Sequence, residues 1–473
     1  MMGVIVERAR REGALLCSGN RRMEGGEIAV RLATPENIRT LQRKLYQKAK
    51  QEPGFRFYAL YDKVYRSDIL AHAYQLVHAA GGCAGVDGRT FEDIEGAEGV
   101  TAFLAELGTA LRTKTYGAEP VRRVMIPKAN GGERPLGIPT IRDRVAQMAA
   151  KTVLEPIFEA DFCDCSYGFR PKRSAHQAID AIANGMHEGF TQVIDADVSK
   201  YFDSIPHAKL LATVAERVAD GAMLHLLKLW LKAPVVSDEG GQRRNLGGGQ
   251  GNRRGTPQGG VISPLLSNLY LHLLDRNWKG QKMEERHQAR LVRYADDFVV
   301  LCRKQTDEPM RMIRRLMGKL GLNLNEEKTR VVNTWQDRFC FLGFEMGIAR
   351  SVRTGKPYPL VIPSKKARKS IKARLTALTT RERVLIPPED LIRQINPLLR
   401  GWVGYFHYRN SSKAMNEVKT HAEQRLRIWL RNRHKVRSWK AGYMRFPSVS
   451  LYADYGLYKV PTTAGWTAKA HAL

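Results

Sequence analysis

Cysteine is scarce, with six residues in 473. So few in so long a chain do not make a disulfide framework. Cys163-Asp164-Cys165 lacks both the two-residue spacer and the second pair of a structural zinc site, so free thiols and no zinc are expected. Long apolar runs are missing too. None approaches the roughly 20 residues of a membrane span, and the opening MMGVIVERARREG has too short an apolar core for a signal peptide, which predicts a cytoplasmic protein with no membrane partner. Acidic residues are in deficit, 47 against 77 Lys and Arg, for a formal charge of +30. Self-repulsion on that scale calls for a polyanion, and nucleic acid is the first partner to consider. No repeat period is present.

What remains suits a globular chain. Hydrophobic residues make up 43%, enough to bury a core and build two to four units. Residues 1–35 mix Gly, Arg and Glu without period and read as a loose leader. From Leu41 to Ala80 apolar residues recur at three and four positions, which predicts amphipathic helices. VRRVMIPK, the turn-forming stretch from Ala129 to Gly132 and RPLGIP predict a hairpin with basic residues near its tip. Thr140-Ile141-Arg142-Asp143 is a capping box opening a helix, and Ser263-Pro264 opens another whose stripe is Ile262, Leu265, Leu266, Leu269 and Leu273. The basic stretch 350–370 reads as a linker. Beyond it, Asn396-Pro397 is expected to start a helix, and Met415, Val418, Ala422, Leu426 and Trp429 form the stripe of a second, together a helical bundle. From Arg350 onward there are 26 Lys and Arg against six Asp and Glu. That lopsidedness suits a nucleic-acid-binding module.

The chemistry-bearing stretch is LVRYADDFVVL, residues 291–301. Adjacent carboxylates repel, and burying them between apolar runs is unfavourable unless a divalent cation sits between them. Mg²⁺ prefers such hard oxygen ligands. A two-metal phosphoryl-transfer site needs another carboxylate on a different strand, holding two ions about 4 Å apart. VIDADVSKYFDS supplies it: Asp195 and Asp197 share a strand face, and the Val198 carbonyl is a further candidate ligand. Taken singly, an Asp-Asp pair reads as a solvated hairpin tip and Asp197 as a strand-end cap. The combination is rarer than either.

These residues resemble the group II intron reverse transcriptases, also called intron-encoded maturases. Tyr294-Ala295-Asp296-Asp297 matches the polymerase signature, and Asp197 to Asp203 resembles the strand bearing the other metal-binding acid. RGTPQGGVISPLLSNLYL, IPKANGGERPLGIP, SYGFRPKRSAHQAI, GLNLNEEKT and FLGF follow in the family's forms, over about Leu41 to Arg437. The resemblance implies an α+β right-hand polymerase, with antiparallel-sheet fingers and palm over 36–350, a helical thumb or maturase domain over 351–437 and a short appendage over 438–473. It implies Asp197, Asp296 and Asp297 as catalytic acids holding two Mg²⁺ ions with Val198, leaving Asp195 a structural role.

By the same resemblance, deoxynucleoside triphosphates are the substrates. Lys128 and Arg134 would clamp the triphosphate, Arg134 bidentately; the other reading of this pair is a solvated loop tip. Gln258 would touch the nucleotide sugar or base, and Gly259 and Gly260 would let backbone approach the template or simply form a turn. Phe202 would block a ribose 2′-hydroxyl, pack in the core, or both. Lys328 would protonate pyrophosphate or stand as an exposed helix-end lysine, the second reading being favoured. Trp402, Tyr405, Phe406, Tyr408 and Trp429 invite a base-stacking reading, with core packing favoured for Trp402 and Phe406.

The implied partners are group II intron RNA, an RNA template with a DNA primer, and target DNA, in a bacterial-type, nucleoid-associated setting; the oligomeric state stays open. Nothing like the clustered His and Cys of a C-terminal nuclease follows Arg437. The rival readings are an RNA-binding splicing chaperone without synthesis, and a domesticated reverse transcriptase serving defence or repair.

Overall fold

The computed structural model describes residues 32–465 apart from 98, 129–131 and 240–241. Most of the expected leader and the tip of the basic hairpin therefore lie outside the described residues. Packing divides the chain into two compact units. The first runs to Ala181 and resumes over Gln192–Val331; the second joins Ile182–Thr191 to the residues from Val332 onward.

In the first unit, α1 (Glu36–Gln51) and α2 (Ser67–Ala80) bury the stripes that the period predicts, Ile38, Leu45 and Ala49 on one and Ile69, Leu70, Ala73 and Val77 on the other. Both pack on α3 (Ile141–Glu159). That helix starts at the predicted cap, where Thr140 Oγ1 accepts from the Asp143 N–H at 3.1 Å. Strands β1 (Val121–Lys128) and β2 (Gly132–Ile138) form the predicted hairpin, in register from Arg122↔Ile138 to Lys128↔Gly132.

A second sheet carries β3 (Gln192–Ala196), while the first is extended by β4 (Val235–Glu239) and β5 (Gln242–Gly247) to the order β2-β1-β4-β5. Helix α4 (Ser263–Gly280) follows, with Pro264 in its first turn. Strands β6 (Ala289–Tyr294), β7 (Asp297–Cys302) and β8 (Arg330–Asn333) complete the second sheet in the order β6-β7-β3-β8. Phe298 to Cys302 are all buried, so β7 is covered on both faces and reads as one apolar run.

The second unit contains a three-stranded sheet, β9 (Phe339–Phe341), β10 (Phe344–Arg350) and β11 (Pro357–Pro363), with β10 in the middle. The expected linker over 350–370 is thus corrected: it holds β11 and the start of α5 (Lys365–Leu378), capped by Ser364 Oγ. Three prolines hide this strand, and its edge position explains them. Pro357, Pro359 and Pro363 share the parity of Val361, whose N–H points away from β10 and donates to Asn410 Oδ1 at 3.0 Å.

A second correction concerns Asn396-Pro397. The helix α6 runs from Pro388 to Phe406 straight through Pro397. Its start is set by Pro388 with Glu389 and Asp390 in the first turn. Asn396 is engaged instead by the Gly456 carbonyl (2.9 Å) and the Tyr458 N–H (2.7 Å). Helix α7 (Ser412–Arg433) buries its predicted stripe, and Phe446, Leu451, Leu457 and Val460 from the expected appendage share that core.

Among the described cysteines, Cys163, Cys165, Cys302 and Cys340 are free thiols. Cys83 is disulfide-bonded, which corrects the expectation at that position. Among the described residues no helix is long and apolar enough to cross a membrane.

The cap on α3 gives a direct test. Thr140→Ala removes the acceptor of the Asp143 N–H and is expected to lower stability by about 1 kcal/mol, read as a lower denaturant midpoint at unchanged slope.

Candidate active site

The β6–β7 hairpin turns in two residues, since Tyr294 pairs with Asp297. Ala295 takes φ +57°, a conformation an L-residue adopts at a cost of about 1–2 kcal/mol. Arg293, fully buried, holds the turn in that shape. Its guanidinium donates to the Ala295 carbonyl at 2.9 Å and to Asn268 Oδ1 at 3.0 Å, and forks onto both oxygens of Asp275, with Nε–Oδ1 at 2.8 Å. Asn268 and Asp275 lie two turns apart on α4, and Asn268 also donates to the Gly168 carbonyl. Gly168 has no room for more than hydrogen, because a Cβ there would lie 2.4 Å from the Ala295 nitrogen.

The clamp escapes the motif reading, which stops at the acids. Its signal is visible in retrospect: Asn268, His272 and Asp275 lie on one stripe of a largely apolar helix, and an arginine sits inside an apolar strand.

Strand β3 runs antiparallel to β7, with Asp195 opposite Val299 and Ala196 opposite Phe298. One further step of that register brings Asp197 opposite Asp297, while Asp296 occupies the turn. Asp296 is pushed up to about 7, first by burial and then by the Asp297 charge, with Asp197 adding to it. Its Oδ1 is buried and has no hydrogen-bond partner. Asp195 is pushed up to about 6 by burial, opposed by the Arg330 guanidinium at 3.3 Å. That ion pair gives Asp195 a structural partner.

Lys328 is corrected from a helix end to a turn, where its ammonium lies 3.1 Å from Asp197 Oδ2 and supplies a countercharge. The turn is docked by antiparallel pairing, Asn325 N–H to the Asp197 carbonyl at 2.8 Å and Ser199 N–H to the Asn323 carbonyl at 2.9 Å, with Val198 bridging Leu324. Among the described residues, no three His, Cys, Asp or Glu side chains converge closely enough to hold a metal. The donor chemistry nonetheless fits a hard dication: neighbouring carboxylates and one buried, unpartnered oxygen.

The other expected residues fall as follows. Phe202 is 4% exposed and packs edge-on against Tyr201, whose hydroxyl donates to the Ser267 carbonyl at 2.6 Å. The Gln258 carbonyl accepts from the Gly137 N–H of β2 at 2.5 Å. A Cβ at Gly259 would lie 2.1 Å from the Gly137 carbonyl, so protein packing by itself requires glycine there. From α3, Gln147 Oε1 accepts from the Val261 N–H at 2.8 Å, covering the entry to α4. Arg134 lies opposite Ile126, and Lys128 pairs through its backbone with Gly132 while its side chain lies outside the described set. Among the aromatics of the second unit, Trp429 is fully buried, and Trp402 and Phe406 pack on the core as expected.

Residues 126–346 match the family model described as reverse transcriptase (RNA-dependent DNA polymerase), and 368–446 match the group II intron maturase-specific domain. The chain belongs to the group II intron reverse transcriptase/maturase family. The first unit carries the palm and fingers, and the region toward the C-terminus is helical.

Protein YkfC of Escherichia coli K12 is 34% identical over 385 residues, 73% of this chain and 98% of that protein. Group II intron-encoded protein LtrA of Lactococcus lactis subsp. cremoris is 29% identical over 401 residues, 72% of this chain and 62% of that protein. The putative COX1/OXI3 intron 1 protein of Saccharomyces cerevisiae is 27% identical over 380 residues, 69% of this chain and 43% of that protein.

The buried clamp separates stability from geometry. Arg293→Leu strands the Asp275 charge and is expected to cost about 3–5 kcal/mol, whereas Arg293→Leu/Asp275→Leu recovers most of it. Thermal melts of the two variants check this.

Proposed function

We propose that the protein copies RNA into DNA and assists the splicing and mobility of a group II intron. The observation that carries the reading is Asp296, which feels the charges of Asp297 and Asp197 while one of its carboxylate oxygens is buried and unpartnered. A protein that only binds RNA gains nothing from that repulsion.

Asp197, Asp296 and Asp297, with the Val198 carbonyl, would hold Mg²⁺. Bound there, two ions would lower the pKa of a primer 3′-hydroxyl and neutralise charge on the phosphorus being attacked. The chain's own part is positioning. The Arg293 clamp fixes the turn, so the acids stand at set places before substrate arrives. Lys328 balances Asp197 and moves aside or onto phosphate oxygens as the site fills. Arg134 and Lys128 grip the triphosphate, one as a fork and the other as a point charge. Gln258 contacts the nucleotide, and Phe202 supplies bulk behind the ribose. The basic second unit, with 26 cations against six acids from Arg350 onward, tracks the phosphates of intron RNA and of an A-form primer–template by charge and shape.

Primer extension on an RNA template with Mg²⁺ and deoxynucleoside triphosphates tests this, run beside splicing of a group II intron. Asp296→Asn is expected to lower extension by about a hundredfold or more while splicing persists. Asp195→Asn, at the acid paired with Arg330, stays within a few-fold of the unmodified protein. Extension at full rate by Asp296→Asn would sink the catalytic assignment.

A further inference from the structure

Of the aromatics that invite a stacking reading in the sequence, Trp429 is fully buried and Trp402 and Phe406 pack on the core of the second unit, whereas a neighbouring pair on one short helix is open to solvent. Helix α8 (Trp439–Arg445) follows α7 and begins at Ser438, whose Oγ accepts from the Ala441 N–H. Trp439 and Tyr443, one helical turn apart, share a face, with ring centroids 6.3 Å apart and planes tilted by 34°. They are 53% and 45% exposed, which core packing does not explain.

Each ring is backed by an arginine from α7. The Arg431 guanidinium lies 4.2 Å from the Trp439 centroid, and that of Arg427 4.1 Å from Tyr443. Both arginines are themselves held. Arg431 donates to the Arg437 carbonyl at 2.6 Å, and Arg427 to the Phe446 carbonyl at 2.9 Å and Ser448 Oγ at 3.1 Å. Gly442 makes the arrangement sterically feasible, since a Cβ there would lie 2.4 Å from Arg431 Cδ. The inner faces are therefore pinned by cation–π contacts while much of each ring remains open to solvent. Residues 424–453 carry eight Lys and Arg and no Asp or Glu.

We propose that Trp439 and Tyr443 form a stacking platform for unpaired bases of RNA, set in a cationic field that draws in the flanking phosphates. Two pre-oriented π faces cost little side-chain entropy when a base arrives, and stacking on them is indifferent to sequence. The field disfavours an acid-free apolar partner as the natural occupant, because the four exposed cations of this stretch, Lys435, Arg437, Lys440 and Arg445, would lose hydration around a dry protein contact without compensation. The proposal rests on the second unit binding RNA, and the experiment keeps the two claims apart.

Full-length protein is titrated at one salt concentration with a short unstructured RNA oligonucleotide and with a blunt RNA duplex. Trp439→Ala/Tyr443→Ala is expected to weaken single-strand binding about tenfold or more and to leave duplex binding and the thermal melt unchanged. Trp439→Leu/Tyr443→Leu, which keeps an apolar cover over Arg431 and Arg427 but removes the π faces, shows the same selective loss. Trp439→Phe restores most of it. Unchanged single-strand affinity in the leucine pair overturns the platform, as does an equal loss on duplex; unchanged affinity with lost self-association in sedimentation overturns it in favour of a second copy of the chain. Failure of the unmodified protein to bind either RNA overturns the RNA-binding reading itself, and the platform with it.

Discussion

The site depends on one buried ion pair. Arg293 and Asp275 have no solvent exposure, and desolvating two such charges costs several kcal/mol apiece. The pair is tolerable because the fork is complete: Asp275 takes two donors of the guanidinium, and Asn268 and the Ala295 carbonyl take the rest of its named bonds. An apolar pair of equal volume would stabilise the fold as well or better. It would not deliver a directed hydrogen bond to the one carbonyl that fixes the turn. The cost is therefore best understood as the cost of geometry.

The same logic extends outward from the turn. Ala295 holds a positive φ, and half-buried Asp296 faces like charge. Both are unfavourable locally, and neither would persist on a loosely held loop. They persist because β7 is buried from Phe298 to Cys302 and paired on both sides, by β6 and β3. Gly168 presses its backbone against the Ala295 nitrogen, and Asn268 ties the Gly168 carbonyl to the clamp. Strain at the tip is thus held by rigidity at the base.

Much of this was legible in the sequence wherever the code is local. A two-residue turn between apolar runs, a Thr-x-x-Asp cap and a proline in a helix's first turn each act through atoms a few positions apart, and the structure has the hairpin, the cap at Thr140 and the start of α4 where those signals put them. Reading failed where a residue's meaning comes from a distant neighbour. Pro357, Pro359 and Pro363 look like strand breakers until β10 shows that their missing N–H groups lie on the outer edge. Pro397 looks like a start until Pro388 supplies an earlier one. Arg293 looks like a stray charge in a strand until α4 brings Asn268 and Asp275 beneath it.

Charge and aromaticity follow the same division in the second unit. Its helices need large apolar side chains for their core, and Trp429, Leu426 and Val418 meet that need with little or no surface exposed. Arginine then does two different jobs. Arg433 is drawn inward, donating to the Val384 and Ile386 carbonyls at 2.7 and 2.9 Å, so part of the positive composition is structural and unavailable to a polyanion. Arg427 and Arg431 are likewise fixed by backbone carbonyls, but their flat faces are turned to rings that reach solvent. Composition counts all of these cations alike. Only their partners distinguish those that hold the bundle together from those that prepare its surface for a ligand.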